Sequence, residues 1–290
     1  MSRRYRQSDV MRLMPGPLVV VIVVVLLIVV LLPVLYMLLS SVNSDTAVAA
    51  GGFWPRSLHF DNYLKVWSTV NLAGGIGNSV LVCAATAVVS SVLAIATAFV
   101  LVRFSFFGRI GILRALLALQ SIPGTLILLP VFVLFSTIGQ TLGVAIVGTR
   151  WGLFLTYLTF ALPFSTWVMV TYLRGLPVEL EEAARIDGAS SWRVLVRIVV
   201  PLSWPGIVVA AIFAFLLGWN DVLFSSALTN PGTRTAAVVL QAFAASQEGG
   251  AIPTYGQMMA ASLICAVPVV VLYLVFQRYL VGGLTAGGVK

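Results

Sequence analysis

Residues 18–39 read L18-V-V-V-I-V-V-V-L-L-I-V-V-L-L-P33-V-L-Y-M-L-L39, and this stretch contains no charged residue. It is long enough to cross about 30 Å of hydrocarbon, because an α-helix rises about 1.5 Å per residue. Four arginines precede this stretch, as basic residues precede the apolar region of a secretory signal peptide. The apolar region of a signal peptide, however, covers only about 7–15 residues. We therefore predict that 18–39 is a retained membrane helix.

Further apolar stretches along the chain are also long enough to cross a membrane. Prolines lie in or beside several of them, which membrane helices tolerate with local kinks when neighbours satisfy the freed carbonyl groups. The sequence therefore predicts an all-α integral membrane protein with six transmembrane helices. The five further predicted spans are 78–102, 110–136, 152–173, 205–228 and 257–280, and the prolines are Pro33, Pro123, Pro130, Pro163 and Pro268.

The composition of the 290 residues excludes an ordinary soluble domain. Hydrophobic residues make up 60% of the chain and charged residues 9%, whereas soluble domains carry about 25% charged residues. The net charge of +8 does not indicate a nucleic-acid partner, because the basic residues are scattered between apolar blocks rather than clustered on one face. Cys83 and Cys265 lie within apolar blocks, where a free thiol behaves as a small hydrophobic group.

The distribution of basic residues predicts the orientation of the helices. If the N-terminus is cytoplasmic, 13 of the 17 Lys and Arg residues fall in inner segments and 4 in outer loops, which agrees with the positive-inside rule. We expect both termini to be cytoplasmic. The predicted organisation is an N-terminal segment 1–17, a membrane domain 18–280 containing an inner loop 174–204, and a tail 281–290.

The inner loop 174–204 has the pattern of two short helices joined by a turn. Pro177 suits the first turn of a helix, and the acidic residues that follow are favoured near its N-terminus by the helix dipole. Leu176, Leu180, Ala183 and Ala184 share one narrow face. Gly188 is suited to end this first helix, and a second helix then leads into the membrane through Pro201.

This loop resembles the EAA signature of the permease subunits of binding-protein-dependent ABC importers. The signature is Glu-Ala-Ala, three residues, Gly, nine residues and Ile-x-Leu-Pro. Here it is matched by Glu182-Ala183-Ala184, Gly188 and Ile198-x-Val200-Pro201, with Val200 in place of the leucine. The spacing matches throughout, and the loop precedes the second-last predicted span.

Further motifs in the same chain order resemble the carbohydrate branch of that family, and in particular the shorter permease of maltose-type systems. Each motif alone is weak, but their order along the chain strengthens the resemblance. They are Phe60-Asp61-Asn62-Tyr63, Gly77-Asn78-Ser79, Leu162-Pro163-Phe164, Asp187-Gly188-Ala189, Trp219-Asn220-Asp221 and the C-terminal Gly283-Leu284-Thr285-Ala286-Gly287-Gly288-Val289-Lys290.

The resemblance implies the six-helix permease fold of type I importers, in the bacterial cytoplasmic membrane. It also implies three kinds of partner: a second permease subunit, an ATP-hydrolysing dimer and an extracytoplasmic substrate-binding protein. The loop would couple the ATPase to the membrane helices, with Glu182 in contact with the ATPase and Gly188 making the turn. The implied coupling residues are Glu182, Ala183, Ala184, Asp187, Gly188, Ile198 and Pro201.

The chain contains no Gly-x-x-x-x-Gly-Lys phosphate-binding loop, since its two lysines, Lys65 and Lys290, stand in other settings. ATP and Mg²⁺ are therefore expected in a partner, and we expect no cofactor and no catalytic residue in this chain. The single histidine, His59, has no second histidine or carboxylate pair at ligand spacing, so no metal site is expected. For the tail, two alternatives remain open: contact with the ATPase dimer, or an inert end.

Asp221 is the single acidic residue within a predicted span, and ionisable groups at membrane depth usually face the protein interior. It either lines the translocation path or orients the end of the fifth helix. Asn220, Gln120 and Thr125 have the same two alternatives, since they can hydrogen-bond sugar hydroxyls or neighbouring helices. A secondary transporter is disfavoured, because it would show inverted repeats and several ionisable groups mid-membrane. An intramembrane enzyme is disfavoured as well, because a serine type would need a histidine in a span and an aspartyl type would need a second aspartate there.

Overall fold

A computed structural model describes residues 16–55, 57–247 and 254–286, with side chains described as far as residue 279. Within these residues the regular structure is helical, apart from an isolated bridge between Gly148 and Thr229. The prediction of an all-α chain is confirmed. The helices are α1 (Gly16–Ser41), α2 (Asp45–Ala49), α3 (Asn62–Thr69), α4 (Leu72–Arg103), α5 (Arg109–Gln120), α6 (Gly124–Leu142), α7 (Arg150–Arg174), α8 (Glu179–Ile186), α9 (Ser191–Leu202), α10 (Trp204–Trp219), α11 (Leu223–Leu228), α12 (Ala236–Gln247) and α13 (Tyr255–Ala286).

Five helices of the described part of the chain are long and apolar enough to cross a membrane, namely α1, α4, α6, α7 and the Tyr255–Tyr279 part of α13. A sixth crossing is completed if α9 and α10 form one span, although they meet at an angle of 77°. Four predicted spans, 18–39, 78–102, 152–173 and 257–280, therefore coincide with single long helices. The other two predicted spans differ from the structure.

The third predicted span, 110–136, is wrong as a single helix. The chain breaks after Gln120, and α6 begins only at Gly124. Pro123 causes the break, because its ring disfavours helical backbone at the preceding residue, and Pro123 itself is extended with ψ 129°. The membrane-spanning helix is α6, which continues to Leu142, beyond the predicted end at 136. Pro33, Pro130, Pro163 and Pro268, by contrast, lie inside continuous helices.

The fifth predicted span, 205–228, is also divided. Helix α10 ends at Trp219, and a separate helix, α11, covers Leu223–Leu228. Asp221 lies in the turn between them and accepts hydrogen bonds from the backbone N–H groups of Phe224 and Ser225 at 3.2 and 2.9 Å. A side chain that satisfies these free N–H groups favours a new helix start over a continuous helix.

The last helix extends beyond the predicted end at residue 280, because α13 continues to Ala286. Each glycine costs a helix about 1 kcal/mol, but extending an existing helix avoids the cost of nucleation. Most of the predicted tail 281–290 is therefore helical backbone, and residues 287–290 lie outside the described residues. The predicted N-terminal segment 1–17 also lies outside them, except for Gly16 and Pro17.

The chain divides into two compact units. The first contains the described residues of Met1–Ser68 and Gln247–Ile264. Within it, the amide of the buried Asn62 donates to the carbonyls of Ser41 and Asn43 at 3.0 and 3.1 Å. The N–H of Gly256 donates to Asp45 Oδ1 at 2.8 Å. A Cβ at Gly256 would lie 2.5 Å from the Asn62 amide nitrogen, so this close approach requires glycine.

The second unit contains Thr69–Ser246 and the described residues of Cys265–Lys290. Helices α4, α7 and α10 pack together in it around two apolar clusters. Close packing requires glycine at Gly218, where a Cβ would lie 2.7 Å from the Tyr157 ring and 3.0 Å from Cys83 Sγ. Cys83 and Cys265 are both buried free thiols, as predicted.

Candidate functional site

The first candidate site is the loop between α7 and α10. Helix α8 ends in a Schellman motif, in which the N–H groups of Gly188 and Ala189 donate to the carbonyls of Arg185 and Ala184 at 3.0 and 2.9 Å. Gly188 has φ +81°, a left-handed conformation that glycine adopts without strain. A Cβ at this position would meet nothing within 4 Å. The predicted turn at Gly188 is present, and its glycine is required by backbone conformation rather than by space.

The second half of the loop is α9, which starts with Ser190 Oγ accepting the N–H of Arg193 at 3.4 Å. Its middle, Leu195–Val199, is π-helical, a feature often found at functional positions. Val194, Leu195 and Val199 are buried against α4, α7 and α10. The apolar side of α9 therefore belongs to the membrane core of the second unit.

The residues of the predicted coupling set differ in exposure. Glu182, Ala183, Asp187, Gly188 and Pro201 are exposed, whereas Ala184 and Ile198 are half-buried. Large apolar side chains nearby are also exposed, and Ile186 and Trp192 keep 87% and 71% of their surface. The predicted narrow face is divided. Leu176 and Ala184 pack against the apolar cluster that contains Val194 and Val199, while Leu180 and Ala183 are exposed.

An ion pair that sequence reasoning missed joins α8 to α4. The Nε of Arg103 donates to both carboxylate oxygens of Glu181 at 2.8 and 3.0 Å. The Nη2 of Arg103 lies 2.7 Å from Oε1 of Glu181 and donates to the carbonyl of Leu173 at 3.1 Å. The two side chains are 11% and 3% exposed. No local pattern separates Glu181 from Glu179 and Glu182, because its partner lies 78 residues earlier.

The second candidate site is a cavity of about 780 Å³ in the second unit. Its walls come from α7, α10, the turn after α10, the start of α11, and the ends of α5 and α6 on either side of their break. Both breaks that the sequence prediction missed thus border this cavity. The lining residues are Leu119, Gln120, Ile122, Gly124, Tyr157, Phe160, Ala161, Phe164, Phe213, Ala214, Leu216, Leu217, Asn220, Asp221 and Phe224.

Three of the four predicted path residues, Gln120, Asn220 and Asp221, are brought together in the lining of this cavity. Thr125 is exposed and is not a lining residue, although its neighbour Gly124 is. The amide of Asn220 donates to the carbonyl of Leu216 at 2.9 Å, a bond that holds this side chain against the last turn of α10. The polar side of the cavity therefore lies at the C-terminal end of α10.

Asp221 takes part in both the cavity lining and the turn after α10, and its place in a translocation path stays a prediction. It lines the cavity, and its carboxylate accepts two backbone N–H groups at the start of α11 and the hydroxyl of Tyr157 at 2.9 Å. The first N–H groups of a helix have no partner within the helix, so an acceptor placed there stabilises its start. Asp221 thereby holds Tyr157 on α7 and the start of α11 in fixed positions at the cavity edge.

The aromatic side of the cavity was not predicted. The ring centroids of Phe160 and Phe224 are 4.9 Å apart, and those of Phe164 and Phe213 are 5.1 Å apart. Tyr157, Phe160 and Phe164 recur at helical spacing on α7, so they lie on one face. That periodicity could have identified the α7 wall, but its pairing with α10 and α11 depends on the tertiary packing.

No group of three or more His, Cys, Asp or Glu residues within the described ranges could hold a metal ion. His59 Nδ1 lies 3.7 Å from Asp61, and its Nε2 lies 2.9 Å from Ser57 Oγ. Asp61 is paired with Lys65, whose hydrogen bond lowers the pKa of the Asp61 carboxyl below its usual value. This exposed cluster therefore has the character of a surface ion pair.

Two solved structures with the same fold are of bacterial alginate ABC transporters. The chain matches a crystal structure of a bacterial ABC transporter involved in the import of the acidic polysaccharide alginate, with a TM-score of 0.77 and 20% identity. The match covers 96% of this chain and 99% of the other. A second alginate transporter structure, in complex with alginate pentasaccharide-bound periplasmic protein, matches with a TM-score of 0.68 and 17% identity, over 90% and 92% of the two chains.

Several relatives of higher sequence identity are named as permease proteins of sugar-transport systems. The diacetylchitobiose uptake system permease protein of Streptomyces coelicolor is 35% identical, over 88% of this chain and 82% of its own length. The trehalose transport system permease protein of Mycobacterium tuberculosis is 33% identical, over 89% and 92%. The trehalose/maltose transport system permease protein of Thermococcus litoralis is 30% identical, over 89% and 91%.

A family model also matches the chain directly, over residues 90–285. This range includes the α8–α9 loop, both core clusters in large part, and the whole lining of the cavity. Its description agrees with the multi-pass, membrane-spanning character of the helices. The chain belongs to the family of binding-protein-dependent transport system inner membrane components.

Proposed function

We propose that this chain is the translocating permease subunit of an ATP-driven importer and carries a sugar or sugar-like solute into the cytoplasm. The observation that carries the proposal is the α8–α9 loop. It combines the EAA spacing with an exposed Glu182, a left-handed Gly188 turn and an α9 whose Val194, Leu195 and Val199 are buried in an apolar cluster of the membrane helices. A partner that binds the exposed side of this loop can therefore move the membrane helices against which its buried side packs.

The proposed partner at α8 is a separate ATPase. Glu182 supplies an exposed charge, and Ile186 and Trp192 supply exposed apolar surface beside it. Large apolar side chains surrounded by a polar and charged rim are typical of a protein interface. Ala183, Asp187 and Gly188 are exposed beside Glu182 on α8 and its turn, while Ile198 and the exposed Pro201 belong to the return into the membrane.

The proposed substrate is a sugar, as the names of the relatives suggest. The cavity supports this proposal because it combines aromatic rings with a polar side formed by Gln120, Asn220 and Asp221. A sugar ring has apolar C–H faces that pack on aromatic rings and a rim of hydroxyls that hydrogen-bond to amides and carboxylates. Pockets with a mostly apolar lining and a few placed polar groups are typical ligand sites.

Assembly and orientation follow from the same proposal. The positive-inside distribution of basic residues supports cytoplasmic termini and a cytoplasmic α8–α9 loop. A second permease would complete the translocation path, an extracytoplasmic binding protein would deliver the solute, and an ATPase dimer would bind ATP and Mg²⁺. The related alginate structure in complex with a periplasmic protein is consistent with such an assembly.

Reconstitution tests the proposal. The chain would be co-expressed with the second permease and the ATPase, purified and placed in proteoliposomes together with the binding protein. We expect uptake of radiolabelled trehalose, maltose or diacetylchitobiose that requires ATP and the ATPase. Solute uptake by the purified chain without any ATPase would overturn the proposal.

A further inference from the structure

The buried ion pair of Arg103 and Glu181 connects three helices of the second unit. Arg103 is the last residue of α4, Glu181 lies in the first turn of α8, and the carbonyl of Leu173 belongs to the last turn of α7. The guanidinium contacts both other helices at once, with donor–acceptor distances of 2.7 to 3.1 Å. Such a fork-like arrangement fixes orientation as well as distance.

Glu181 differs in this respect from the acidic residues around it. Glu179 and Glu182 are exposed, whereas the side chain of Glu181 is 3% exposed. Removing one partner of a buried ion pair leaves an uncompensated charge, so the pair resists separation during a conformational change. Ala184, by contrast, joins α8 to the core through an apolar contact, and apolar contacts are not directional.

Helix α7 extends the connection to the cavity. Leu173, whose carbonyl receives Arg103, and Tyr157, which lines the cavity, lie on the same helix. They are separated by about 24 Å along its axis at about 1.5 Å per residue. Tyr157 in turn donates its hydroxyl to Asp221 at 2.9 Å. Because Arg103 contacts both α8 and the end of α7, a displacement of α8 is transmitted along the continuous helix α7 to the cavity.

We propose that the Arg103–Glu181 pair is a latch that makes the coupling helix α8 move together with α4 and α7. Arg103 and Glu181 are positioning residues in this mechanism, since neither contacts the solute cavity. The inference rests on the proposed function, because it assigns the transmission of force from the ATPase to these two side chains. Without the latch, α8 follows the ATPase while the membrane helices lag behind.

The test uses the complete complex of both permeases, the ATPase dimer and the binding protein in proteoliposomes. The measured quantity is the number of ATP molecules hydrolysed per solute imported. Arg103→Lys keeps the charge but cannot form the fork, and Glu181→Gln removes the charge but keeps the shape. Glu179→Gln is the matched control, because Glu179 is an exposed acid on the same helix turn. A double exchange, Arg103→Glu with Glu181→Arg, restores the pairing of charges.

We expect both single substitutions to raise the ATP consumed per solute by about tenfold, a typical size for coupling between sites. The control should keep the wild-type ratio, and the double exchange should recover part of it. A role in stability alone would lower the yield of the complex but leave this ratio unchanged. An unchanged ratio in assembled Arg103→Lys complexes, which retain the charge and so are expected to fold, would overturn the latch.

The outcome for the wild-type complex separates this inference from the proposed function. If wild-type uptake does not depend on the ATPase, the proposed function is wrong. If wild-type uptake is coupled to hydrolysis and Arg103→Lys is equally well coupled, the latch alone is wrong.

Discussion

Replacement of Gly188 by alanine isolates the contribution of one backbone conformation to coupling. Gly188 has φ +81°, and a Cβ at this position would meet no atom within 4 Å, so alanine introduces no steric contact. The left-handed conformation costs an alanine about 1–2 kcal/mol, and asparagine less. A penalty of that size changes the population of the turn by a factor of about 5 to 30.

The consequence should be confined to the loop. Helix α8 loses its defined end, while the membrane helices are unaffected, so insertion and yield should remain at the wild-type level. We expect Gly188→Ala to reduce ATPase co-purification and ATP-dependent uptake, with Gly188→Asn closer to wild type. The assay compares both quantities at equal amounts of inserted protein.

Gly143→Ala is the matched control for backbone strain. Gly143 has φ +67° and an equally open surrounding, but it lies at the C-terminal end of α6. If strain matters only at the coupling turn, Gly143→Ala should retain uptake. Wild-type uptake by Gly188→Ala, or an equal loss in Gly143→Ala, would refute the reasoning.

Three further predictions concern packing, the cavity and topology. Gly218→Ala should lower the melting temperature, since overpacking costs about 1–3 kcal/mol. Gly77→Ala, whose Cβ would meet nothing within 4 Å, should leave it unchanged, and equal melting temperatures of the two variants would contradict the close packing described at Gly218. Asp221→Asn should reduce uptake, because the cavity loses a charge and a hydrogen-bond acceptor. ATPase co-purification should persist, since the α8–α9 loop is unchanged. Uptake at the wild-type rate would contradict a role of Asp221 in the translocation path. A cysteine at Ser57 should react with an impermeant thiol reagent from outside and one at Ser190 should not, and the reverse pattern would invert the topology.

Much of the architecture is readable from the sequence because the physical signals are local. A bilayer requires about 20 consecutive apolar residues of a helix, and α1, α4, α7 and α13 coincide with such stretches. The Gly188 turn is equally local, since a left-handed helix end selects glycine. The EAA spacing singles out the α8–α9 loop because it is a fixed pattern within one segment.

The sequence by itself did not determine where helices break inside apolar runs. Apolar residues continue on both sides of Pro123 and of Asn220, so length alone favours one continuous helix. The breaks are decided by the conformation before Pro123 and by the hydrogen bonds that Asp221 makes to α11 and to Tyr157. The latter bond joins residues 64 positions apart.

The tertiary structure also decided which acidic residue of α8 is internal. Glu179, Glu181 and Glu182 share the same first turn and equal local preferences for it. Glu181 is buried because α8 packs where Arg103 ends α4, and this meeting of distant segments has no signature in either segment. The sequence determined the long helices and the turn of the α8–α9 loop, whose causes are local. The cavity and the buried ion pair were decided only by packing, because their partners come from separate parts of the chain.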